Sequence, residues 1–93
     1  MTMNRQLKSG YQGYFVTVVL EQTVHAVGLG FTDTLYRYVV AKDEIGAEQI
    51  AVDFYQEQKL EVKITQAVRS VMNVVSNIFP EQVLGFDEGT VAC

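Results

Sequence analysis

The chain has 93 residues, of which 48% are hydrophobic and 19% charged, and a net charge of −4. That describes one globular domain, long enough to hide roughly two thirds of its unfolded surface in a single core and too apolar for disorder. The acidic balance disfavours direct nucleic-acid binding, because the basic residues Arg5, Lys8, Arg37, Lys42, Lys59, Lys63 and Arg69 are scattered instead of gathered into a patch.

The single cysteine, Cys93, excludes an intrachain disulfide. Met1 is followed by no apolar leader, and nowhere do eighteen apolar residues run together. A protein with no membrane segment, in a reducing cytoplasmic setting, is the expectation.

Residues 1–12 are polar and contain Gly10, and read as a flexible N-terminal arm ahead of a single α+β domain over 13–86. Tyr14 to Leu20 alternates, with Tyr14, Val16, Val18 and Leu20 on one face; both faces are fairly apolar, which predicts a central strand. Glu21-Gln22-Thr23 reads as a turn, Val24–Phe31 as a second strand, Thr32-Asp33-Thr34 as a loop, and Leu35–Ala41 as a third strand. Asp43 can then cap a helix over 43–58, whose core stripe is Ala47, Ile50, Ala51 and Phe54.

Leu60 to Ile64 alternates as a short strand. Beyond it, Val68, Val71, Met72, Val75, Ile78 and Phe79 separate from Gln66, Arg69, Ser70, Asn73, Ser76 and Asn77 at helical spacing, which predicts a helix over 66–79 ending at Pro80. The many valines favour extended backbone, and no glycine or proline lies between Gly46 and Pro80. A strand continuing past Ile64, or one longer helix, is therefore an open alternative. Residues 82–86 read as a short edge strand and 87–93 as a flexible tail. The expected architecture is α+β: an antiparallel sheet of three to four strands with one or two helices packed on one face.

The candidate chemistry is thin. His25 is the sole histidine, and a nucleophilic site needs it between a nucleophile and an acid, which neither Cys93 nor Glu21 supplies from its position. One histidine and one cysteine cannot build a structural zinc site, and the calcium-loop spacing is absent. Gly28-Leu29-Gly30 begins like a phosphate loop, but Asp33 stands where the third glycine belongs. No enzyme activity, cofactor or metal is expected.

What the sequence does offer is surface. Glu44, Glu48, Asp53 and Glu57 crowd the 43–58 helix and suit a protein partner with a basic surface. Ile45 and Val52 lie opposite its core stripe, which suits contact with a partner or a second copy in a homodimer. Tyr36 and Tyr38 stand on one side of the third strand, aromatics of the kind favoured in interface cores. These residues predict a non-catalytic protein-binding domain, an inhibitor or adaptor that occludes a partner's surface. One form of it is a phage or mobile-element inhibitor of a host defence system, anti-CRISPR-like in size, acidity and build, with carboxylates standing in for nucleic acid. The alternative is a structural subunit of a homo-oligomeric assembly.

Overall fold

The computed structural model describes residues 4–24, 29–71, 74–76 and 82–92. Its frame is one long hairpin. β1 (Asn4–Leu7) is followed by β2 (Gln12–Val24) and β3 (Leu29–Ala41), which pair antiparallel in unbroken register from Gln12↔Ala41 to Val24↔Leu29. Where three strands separated by a turn and a loop were expected, two strands of 13 residues run through. The polar segments that suggested interruptions are part of the ladder: Leu20 and Glu21 pair with Asp33 and Thr32. The strands tolerate them because Thr32, Asp33 and Thr34 are exposed, and threonine's branched Cβ suits a pleat. His25 and Gly28 lie outside the described residues.

α1 (Glu44–Glu57) starts where the sequence places it. The Asp43 carboxylate accepts from the Gly46 amide at 2.6 Å, satisfying one orphan donor of the first turn. The helix lies across β2, β3 and β4 (Glu61–Arg69). Its Ala47, Ala51 and Tyr55 close over Tyr14, Val16, Val18 and Leu20 of β2 and Val39 of β3, all buried. Small alanines let the helix approach the sheet, so the core is thin and made of interdigitated valines. Burying one such side chain stabilises by about 1.5–3 kcal/mol.

The helix expected over 66–79 is not formed. Residues 66–69 belong to β4, which pairs with β2 from Tyr14↔Arg69 to Glu21↔Glu61 with a register shift at Val19/Leu20 that leaves Lys63 unopposed. β5 (Val74–Ser76) follows. The competing principle was the preference of β-branched residues for extended backbone, reinforced by β2, whose second edge would otherwise carry unpaired amides. Residues 72–73 and 77–81 are outside the description.

β6 (Val83–Leu84) is the edge strand expected near the C-terminus and pairs parallel to β3 at Tyr38↔Val83 and Val39↔Leu84. A four-residue helix, α2 (Phe86–Gly89), leads into β7 (Thr90–Ala92). The segments read as an arm and a tail thus contain strands: β1 pairs antiparallel with both β5 and β7 in a small second sheet. The fold is α+β, with a main sheet of order β4-β2-β3-β6 and a small one of order β5-β1-β7 among the described residues. Leu7, Tyr11 and Phe86 pack on Val40, Tyr38 and Val83, which fixes the small sheet to one end of the main sheet, on the side away from α1. The molecule is elongated, 52 × 29 × 19 Å, with a radius of gyration of 14.9 Å against about 12 Å for a compact chain of this length.

Candidate functional site

Strand alternation decides what each side of the main sheet presents. Directly opposed residues of an antiparallel pair share a face. The even-numbered residues from Tyr14 to Leu20 point to α1, so Phe15, Thr17 and Val19 point away from it, beside Tyr38, Tyr36 and Thr34 of β3 and Val68, Gln66 and Ile64 of β4. Among the described residues only the Val40 end of this side is covered, by the small sheet. The rest is open: Phe15 is 51% exposed, Tyr36 75%, Ile64 57% and Val68 56%.

The open face is ordered by its own contacts. The rings of Phe15 and Tyr38 meet edge to face, 5.3 Å apart and inclined at 74°, a geometry that aromatic quadrupoles favour. The Tyr38 hydroxyl end lies over Gly13, where a Cβ would stand 1.9 Å from the oxygen. Glycine at that point is what lets the tyrosine lie flat along the sheet. Its hydroxyl is buried with no hydrogen-bond partner. No charged residue stands among Gly13, Phe15, Thr17 and Val19 and the residues opposite them on β3 and β4. Glu21 and Glu61 stand at the far end, directly opposed and both exposed.

The residues singled out in the sequence divide between two sides of the molecule. Tyr36 and Tyr38 are on the open face, whereas the helix residues are on the other side of the sheet. At about 100° per residue, Glu48 and Asp53 are about 140° apart around the α1 axis, so the acidic residues occupy two flanks and not one strip. Glu44 and Glu48 lie on one flank; the Glu48 carboxylate accepts from the Thr65 hydroxyl at 3.0 Å. Asp53 and Glu57 lie on the other, both exposed, with Asp53 accepting from the Gln49 amide at 2.7 Å. Ile45 is 79% exposed, while Val52 is half-buried, so the two do not form an exposed pair.

Phe15, Ile64 and Val68 were not singled out from the sequence. The apolar odd-numbered side of β2 was legible, but was accounted for by the strand's central position. Ile64 and Val68 were divided between a strand and a helix, which hid that they line one face.

A shallow cleft of about 370 Å³ opens beside the start of α1, between Tyr11, Lys42, Asp43, Gly46, Ile50 and Glu88. The Lys42 ammonium stands 5.7 Å over the Tyr11 ring. On the helix side of the sheet, the Arg37 guanidinium lies 4.8 Å over the Phe54 ring, next to Tyr55, whose burial holds its phenol above the usual range against the opposing pull of Arg37. Among the described residues no three His, Cys, Asp or Glu side chains are grouped to hold a metal ion, and no helix is long and apolar enough to cross a membrane. Comparison with protein-family models, curated proteins and solved structures finds no match.

Proposed function

We propose that this chain is a non-catalytic protein-binding domain that covers an apolar surface of a partner, as an inhibitor or adaptor does. The observation supporting this is the uncovered side of the main sheet, where Phe15, Tyr36, Ile64 and Val68 are all more than half exposed. Aligned apolar side chains of this kind amount to a patch at the upper end of what monomers expose, and such patches mark contact sites. Tyrosine and phenylalanine are enriched in interface cores, and a sheet holds them with little ordering left to do on binding. Mimicry of nucleic acid would instead need a continuous acidic strip, and α1 divides its carboxylates between two flanks. The apolar face, and not the acidic helix, is therefore the recognition surface in this reading.

Capture of the tagged protein's partner from native-host lysate, read by mass spectrometry, tests the assignment when variants are run beside the wild type. Tyr36→Glu should weaken capture at least about 30-fold, the effect of losing a central aromatic anchor. Reversing the exposed Glu44, Asp53 and Glu57 to lysine should leave it intact. The opposite pattern would move the site to the helix and refute the face.

A structural subunit of a homo-oligomer is the second reading. It is favoured by the absence of charge from the face: a surface of uncharged apolar, hydroxyl and amide groups has the chemistry of its own complement.

A further inference from the structure

We infer that the partner of the open face is a second copy of the chain, packed sheet to sheet about a two-fold axis with the strands of the two copies running antiparallel. The inference rests on the reading of that face as the binding surface, and commits to what covers it.

Area is the first argument. Phe15, Tyr36, Ile64 and Val68 present on the order of 450 Å² of apolar surface between them. Thr17, Val19, Thr34 and Gln66 raise the face to on the order of 700 Å², close to the roughly 800 Å² that each partner contributes to a standard stable interface. Two copies would thus bury what a dimer needs without recruiting any other surface. Composition is the second argument. Interfaces between identical subunits are more apolar than those between transient partners, and this face is uncharged from Gly13 to Val19 and on the residues opposed to them. A second identical face would complete a sandwich of two sheets about 10 Å apart, the missing layer over β4, β2 and β3.

Charge and shape then select the orientation. Glu21 and Glu61 are directly opposed at one end of the face. A copy laid on with its strands parallel would stack a second such pair on the first, four carboxylates together. The small sheet stands on the same side at the other end, through Leu7 and Phe86, so parallel copies would also collide there. The antiparallel arrangement separates the glutamate pairs and holds the two small sheets at opposite ends of the contact. The axis then passes near Thr17, midway along β2, the middle strand of the three.

Sedimentation equilibrium of the full chain, over a dilution series, is the test. The wild type should sediment as a dimer of the 10.4 kDa chain. Tyr36→Glu and Val68→Glu, each keeping the wild-type circular dichroism, should raise the dimer dissociation constant at least about 100-fold, because each places an unpaired charge in the contact twice. Thr17→Glu and Thr17→Lys should each be monomeric alone and form a mixed dimer when combined, a result that only a contact placing Thr17 near its own copy produces. A wild type that is monomeric throughout overturns the proposal, as does a dimer that survives Tyr36→Glu and Val68→Glu. A monomer that captures a different protein through Tyr36 would overturn the second copy while leaving the binding face itself standing.

Discussion

Single residues carry some of the sharpest constraints in this fold. Gly85 has a φ of 72° just before α2, and a Cβ there would lie 2.3 Å from the Val40 carbonyl oxygen. Gly10 shares the left-handed backbone, with φ 86°, but a Cβ there meets nothing within 4 Å. The pair separates conformation from collision. Gly10→Ala should cost about 1–2 kcal/mol, the left-handed penalty alone. Gly85→Ala should cost several kcal/mol, because the ladder residue Val40 must also move; chemical denaturation of both variants gives the comparison. Tyr55 makes a different kind of prediction. Burial raises its phenol pKa above the ordinary value, so the folded chain holds that proton more tightly than the unfolded chain does. Its contribution to stability is complete below a pH of about 10 and is lost as the pH rises through the raised value. Stability should therefore fall on the alkaline side, and Tyr55→Phe should flatten that fall in denaturation curves taken across the alkaline range. An unchanged slope would mean that the Tyr55 phenol does not carry it.

At the level of elements, legibility followed how many signals agreed. α1 was readable to within a residue at each end because its cap, its apolar stripe and its lack of β-branched runs point the same way. Residues 14–20 and 35–41 were readable as strands, but the strand expected over 24–31 was not one, since Val24 pairs with Leu29 and the chain reverses between them. Nor was the continuity legible, because Glu21-Gln22-Thr23 and Thr32-Asp33-Thr34 have turn composition, and only pairing across the hairpin explains why they stay extended. In residues 66–69 the apolar spacing fitted a helix while the residue types fitted a strand. The winner was set by a neighbour distant in sequence, since Val68 lies opposite Phe15 and Ala67 opposite Val16. The same long-range pairing assembles the open face, so Tyr36 and Tyr38 could be singled out from one strand, but their company with Phe15, Ile64 and Val68 could not. The acidic helix shows the reverse error: crowding along the sequence suggested a strip that helical rotation divides.

Taken whole, the described residues form two cores of unequal size joined through β3. Val39 belongs to the large core under α1, and its neighbour Val40 belongs to the small one with Phe86. A few apolar contacts hold the β5-β1-β7 sheet in place, supplemented by Arg5, whose guanidinium lies 5.1 Å over the Phe86 ring and 3.4 Å from the exposed carboxylate of Asp87. An exposed ion pair of that kind contributes little, about 0–1 kcal/mol. The small sheet therefore has far less buried apolar surface to lose on opening than β2 has against α1. Opening free energies within a domain scale with such local burial, so the two sheets should not exchange their amide hydrogens as one unit. In native-state hydrogen exchange, the amides of Val16 and Val18 should exchange only through global unfolding, with a strong dependence on denaturant. Those linking β1 to its neighbours should exchange through a smaller opening that denaturant barely affects. Arg5→Ala should lower the protection of β1 while leaving that of Val16 and Val18 unchanged. Equal protection in both sheets, lost together in Arg5→Ala, would mean that the coupling through Val39 and Val40 is strong enough to make the molecule one cooperative unit despite its two cores.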